Sequence, residues 1–121
     1  MTLSVLAVDD SRTMRGALKR ALGDAGFAVR LAEDGVDALA ALEDARPDVI
    51  LTDINMPRMN GFGLIARVRD LEGAERIPIL VLTTESGEAL KARARAAGAT
   101  GWIVKPFDGT KLVAAIRRVA A

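Results

Sequence analysis

The chain has 121 residues, half of them apolar, a net charge of +1, and neither cysteine nor histidine. A single domain of this size buries a core without disulfides, and the composition excludes thiolate chemistry, an imidazole base or nucleophile, and histidine metal ligands. Any chemistry must run on carboxylate, hydroxyl, amine and bound metal.

The N-terminal stretch lacks a basic region followed by a long apolar run, and no segment reaches membrane-spanning length, so the cytosol is the expected location. The first apolar run, Val5 to Val8, ends at Asp9-Asp10 and predicts a buried strand. Met14, Leu18 and Leu22 then recur at i, i+4 and i+8, with Ser11 as N-cap and Gly26 beyond the end, which predicts a helix. Ala28 to Ala32 is the second strand, and Val36, Leu39 and Ala40 stripe a second helix that Pro47 must terminate. Val49 to Thr52 is the third strand, ending at Asp53, and Leu64, Ile65, Val68 and Leu71 follow Asn60-Gly61 as a third helix. Ile77 to Thr83 predicts the fourth strand, and Glu88 to Ala97 a fourth helix with only Leu90 as a large apolar anchor. Trp102 to Val104 predicts the fifth strand, and Leu112, Val113, Ile116 and Val119 the last helix.

Such regular alternation implies right-handed crossovers and a parallel sheet covered on both faces, an α/β fold of (βα)5 count. Periodicity leaves the strand order open. No repeat, linker or low-complexity tract interrupts residues 1–121, and the expectation is one domain with no output domain.

Asp9-Asp10, Asp53, Thr83 and Lys105-Pro106 each fall where an apolar run stops, which in a parallel sheet is the C-terminal edge where ligands bind. Three ionised carboxylates in one cleft repel, a pair at ~5 Å and an effective dielectric of ~20 by about 3 kcal/mol. Mg²⁺ suits such a cluster, because it takes one or two carboxylates and bridges to phosphate oxygens. Lys105 can add positive charge and Thr83 a hydrogen-bond donor toward a phosphoryl group. Asp53, the lone carboxylate at its strand end, is the candidate nucleophile for an aspartyl phosphate. Taken singly, each feature has a plainer reading: helix capping by Asp9-Asp10, an ordinary strand residue in Thr83, a solvated charge in Lys105.

The stretches Val8-Asp9-Asp10-Ser11, Thr52 to Gly61, Leu82-Thr83-Thr84-Glu85 and Ala96 to Phe107 agree in order and spacing across the chain. Together they resemble the receiver domain of bacterial two-component response regulators, and within it the single-domain chemotaxis regulators of the CheY group. The resemblance implies a flavodoxin-like, doubly wound sheet of order 2-1-3-4-5. It implies that Asp53 accepts phosphate from a CheA-like histidine kinase, that Asp10, Asp53 and the Asn55 backbone carbonyl ligate Mg²⁺, and that Asp9 acts through a water. Thr83 and Lys105 then contact the phosphoryl oxygens, Asn55 and Glu85 tune dephosphorylation, and the Lys105–Pro106 peptide is cis. Trp102 stands where the family usually has tyrosine or phenylalanine, and Thr84 where alanine or serine is common.

The resemblance further implies a population shift in which Thr83 turns toward the phosphate and Trp102 takes the vacated space. The thin stripe of the fourth helix makes it the expected mover. Residues 86–121 carry seven basic and two acidic side chains, and Lys91, Arg95, Trp102, Lys111 and Arg117, with Arg118, are candidates for a partner-binding face. The partner expected is a FliM-like flagellar motor switch protein or, alternatively, a histidine phosphotransfer protein that makes the chain a phosphate sink or relay intermediate. Nucleic acid and membrane are not expected partners, turnover of an external substrate is not expected, and a monomer is. Two other classes weigh less. A Mg²⁺-dependent phosphatase of the haloacid dehalogenase type needs a second aspartate where Asn55 stands, and a flavodoxin-like cofactor binder needs a phosphate loop where the acidic Asp9-Asp10 lies.

Overall fold

The computed structural model describes residues 2–121. Strands β1 (Ser4–Val8), β2 (Ala28–Ala32), β3 (Val49–Thr52), β4 (Ile79–Thr83) and β5 (Gly101–Val104) alternate with helices α1 (Arg12–Asp24), α2 (Gly35–Asp44), α3 (Gly61–Arg69), α4 (Glu88–Ala97) and α5 (Gly109–Ala120). All strand pairs are parallel and the order is β2-β1-β3-β4-β5, the arrangement the resemblance implied.

The continuous apolar runs are explained by a core on each side of the sheet. Side chains alternate across a strand, so Leu6, Val8, Ile50, Ile79 and Val81 pack with Leu42, Leu64, Ile65 and Val68 of α2 and α3. Val5, Ala7, Val49, Leu51, Leu80 and Leu82 face the other way, onto Leu18 and Leu22 of α1 and Leu112 and Ile116 of α5. Both faces of the central strands are therefore dry, and no charged residue occurs in them until the run ends.

Helix starts are set by side-chain caps: Ser11, Asp34, Asn60 and Asp108 accept the backbone N–H three residues on. Helix α4 departs from this, opening at Gly87 (φ 134°) with no side-chain cap and burying only Ala94. Its other end is held firmly. Gly98 stops the helix at φ 116°, and the Arg69 guanidinium donates to the Gly98 carbonyl from Nε at 3.0 Å and from Nη2 at 2.7 Å. The same guanidinium reaches the carbonyls of Glu75 and Ile77 through Nη1.

Three boundaries differ from the sequence reading. Strand β4 begins at Ile79, not Ile77, because Pro78 has no N–H for the ladder. Strand β5 begins one residue early, at Gly101, where a Cβ would lie 2.8 Å from Leu80 Cδ2. Leu71 packs against the core from beyond the end of α3.

Candidate functional site

Strand register brings the acidic positions together. Val8 pairs with Thr52 across β1 and β3, so the next residues, Asp9 and Asp53, leave the sheet side by side. Gly61 fixes the exit of the chain after Asp53. Its N–H donates to the Ile54 carbonyl at 2.9 Å, and a Cβ there would lie 2.3 Å from the Asp53 carbonyl oxygen.

Asp9 is 2% exposed, and its two oxygens accept from the Ser11 N–H at 2.9 Å and from Lys105 Nζ at 2.6 Å. Asp53 accepts from the Ile54 N–H at 2.6 Å and from the same Lys105 Nζ at 2.8 Å. Lys105 arrives by way of β5, its N–H bonded to the Thr83 carbonyl and its peptide to Pro106 cis. Burial works against its charge, but the hydrogen bonds it donates to Asp53 and Asp9 outweigh that and raise its pKa above the ordinary lysine value. Asp10 is exposed, yet one carboxylate oxygen from each of Asp9, Asp10 and Asp53 lies within 4.8 Å of the others. That is a hard, anionic oxygen set of the kind Mg²⁺ takes.

A second group sits beside it, centred on Glu85. Its N–H donates weakly to the buried Thr83 hydroxyl at 3.4 Å, its carbonyl accepts the Trp102 indole N–H at 3.1 Å, and its carboxylate accepts from Asn55 Nδ2 at 3.1 Å. The Thr83 hydroxyl is thus engaged with the loop toward α4, and Thr84 lies exposed beyond it.

The basic candidates divide between two faces. Lys91, Arg95 and Trp102 line one cleft, and Lys111 and Arg118 line another between β5 and α5. Arg117 does not belong with them: its guanidinium donates to the Ala25 carbonyl and lies 5.5 Å from the Phe27 ring, on the α1 side. Six residues along a helix is about 240° of rotation, so Arg117 cannot share the Lys111 face, whereas seven residues brings Arg118 back to it.

One ion pair escaped the sequence reading. Asp34, 2% exposed, accepts both Nε (2.6 Å) and Nη2 (3.0 Å) of Arg58, and also the Asp37 N–H at the start of α2. The Arg58 hydrogen bond is the main reason the Asp34 carboxyl titrates below its ordinary range, with burial opposing. A lowered carboxylate pKa stabilises the fold above the unfolded value near ~3.9 and is lost as pH falls through the folded one. The gap in urea midpoint between wild type and Asp34→Asn is therefore expected to hold from neutral pH to about 5 and to close below about 4. A gap constant down to the acid limit would rule the ion pair out as its source.

Comparison with known proteins decides the family. The pattern of the response regulator receiver domain matches residues 5–117. The chain belongs to this family. The Vibrio cholerae chemotaxis protein CheY4 superposes with a TM-score of 0.94 at 45% identity, covering 98% of this chain and 99% of that one. The receiver of sensor histidine kinase PA1611 from Pseudomonas aeruginosa superposes at 0.91 with 27% identity, covering 99% and 98%, and is described with a magnesium ion coordinated in its active-site cleft. Response regulator MprA of Mycobacterium sp. (strain KMS) is 37% identical over 117 residues, 97% of this chain. The chain spans about half the length of the curated relatives it matches. It is a CheY-like receiver domain of two-component signalling. Among the described residues no helix is long and apolar enough to cross a membrane.

Proposed function

We propose that Asp53 is the phosphoacceptor of a cytoplasmic chemotaxis effector that binds a FliM-like motor switch protein when phosphorylated by a CheA-like kinase. The observation that carries the chemistry is Lys105 Nζ bridging Asp9 and Asp53 at 2.6 and 2.8 Å, a cation already at the oxygen that would attack. An Asp53 oxygen attacks phosphorus, the phosphorus–nitrogen bond of the donor phosphohistidine breaks with its electron pair on the imidazole, and an acyl phosphate results. Lys105 then moves from carboxylate to phosphoryl oxygen, and Thr83 leaves Glu85 to donate to another. Mg²⁺, held by Asp10, Asp53 and the Asn55 carbonyl, with Asp9 acting through a water, would supply the remaining neutralisation. Asn55 and Glu85, joined across the mouth, govern access of the hydrolytic water.

The motor assignment draws its support from the likeness to CheY4, 45% identical with a TM-score of 0.94, and from the basic cleft of Lys91, Arg95 and Trp102. Trp102 is the sole tryptophan, so its fluorescence can follow a FliM N-terminal peptide titrated with and without Mg²⁺ and beryllofluoride. Tighter binding in the activated state, abolished by Asp53→Ala, is the expected result. Lys91→Glu should weaken peptide binding about tenfold while leaving Asp53 phosphorylation intact. Activation seen by Trp102 without tighter peptide binding would instead assign the chain as a phosphate sink or relay intermediate.

A further inference from the structure

The loop from Asn55 to Asn60 leaves the acidic cleft at one end and caps α3 at the other. Its middle is fastened sideways to the turn between β2 and α2, and the fastening is costly in three respects. Arg58 adopts φ 62°, the only positive φ at a non-glycine position among the described residues. Asp34 gives up both carboxylate oxygens to one guanidinium while almost fully buried. Gly35 donates its N–H to the Met59 carbonyl at 3.2 Å and approaches so near that a Cβ would lie 2.7 Å from Met59 Cγ. A surface loop with no positional duty does not need this. Strain of this kind persists only where surrounding contacts impose it, and here they impose one conformation on the segment just downstream of Asn55.

We propose that the Arg58–Asp34 clamp is a positioning pair for the metal: it holds the Asn55 backbone carbonyl at the acidic cleft before the cation arrives. Neither residue touches the ion. The clamp removes loop disorder that binding would otherwise have to overcome, and outer partners of this kind typically change metal affinity by ten- to a hundredfold when removed. The inference rests on the reading of Asn55 as a ligand given above.

The test is titration of the intact chain with Mg²⁺ alone, followed by backbone amide NMR at Asn55 and by Trp102 fluorescence. Arg58→Ala should weaken Mg²⁺ binding about tenfold. Asp34→Asn should do the same, because asparagine still caps α2 but cannot hold the guanidinium by charge. The double variant should be no weaker than either single one, since both remove one interaction. Arg58→Lys, which keeps the charge without the fork, should fall between wild type and Arg58→Ala. Unfolding midpoints separate this from a merely structural role: a lowered midpoint with Mg²⁺ affinity within twofold of wild type overturns the proposal. Additive losses in the double variant overturn it too. If wild type itself binds Mg²⁺ without a response at Asn55, the ligand reading fails and the inference goes with it.

Discussion

Lys105→Met should lower the stability of the metal-free protein by about 3 kcal/mol and increase the stabilisation that Mg²⁺ confers. The cost follows from what the ammonium leaves behind. Its side chain is 9% exposed and bridges an Asp9 that is 2% exposed and an Asp53 that is 12% exposed, and removing one member of a buried charge cluster typically costs 3–5 kcal/mol. Asp9 and Asp53 then face each other and Asp10 without a counter-charge. Because the lysine pKa is raised, its contribution is fully present below the unfolded value of ~10.4 and is lost only as pH rises through the folded one, so pH 7 measures the whole effect. Urea unfolding of both proteins with and without Mg²⁺ provides the check. A variant as stable as wild type, with an equal response to Mg²⁺, would mean that the three carboxylates do not act as one electrostatic unit.

Gly61→Ala is expected to cost about 3 kcal/mol, the upper end of what forced overpacking takes, and to weaken beryllofluoride binding. The cause is proximity: Gly61 is not among the glycines at positive φ, but a Cβ would stand 2.3 Å from the Asp53 carbonyl oxygen and 2.9 Å from Ile54 Cα. Both neighbours are backbone, so no side chain can swing aside. Either α3 backs away from the sheet, losing the Gly61 N–H bond to the Ile54 carbonyl, or the end of β3 shifts and takes the acceptor with it. Urea unfolding and a beryllofluoride titration report the two effects separately. An alanine variant within 0.5 kcal/mol of wild type would show that the helix start yields more easily than this contact suggests.

The site was legible because central strands buried on both faces carry no charged residue within their length. Val8 to Asp9 and Thr52 to Asp53 are therefore abrupt transitions, and adjacency of β1 and β3 turns two transitions into one cleft. Lys105 was legible as the first charge after the apolar run of the edge strand β5, two strands beyond β3. The Arg58–Asp34 pair was not, since nothing in a linear sequence links a loop arginine to a helix cap 24 positions earlier. The position of Arg117 apart from Lys111 was not legible, because a count of basic residues does not give the side of the helix on which each lies; its contact with the Ala25 carbonyl does. The triple role of Glu85 rests on two main-chain groups and a carboxylate, and main-chain bonds carry no residue signature.

Helix α4 is fastened by Arg69 at its last turn and uncapped at its first. A rod pinned at one end has a fulcrum. At 1.5 Å per residue the ten residues of α4 make an arm of ~15 Å, so a tilt of about 10° carries the Glu88 end through ~2–3 Å while Gly98 hardly moves. Displacement is thus graded along the helix, and a partner gripping Glu88 and Lys91 samples far more of it than one gripping Arg95. The end of α4 with the most room to travel is therefore the one that adjoins the Thr83–Glu85 loop, while Arg69 at Gly98 and the Arg93 guanidinium 4.0 Å from the Phe62 ring hold the rest.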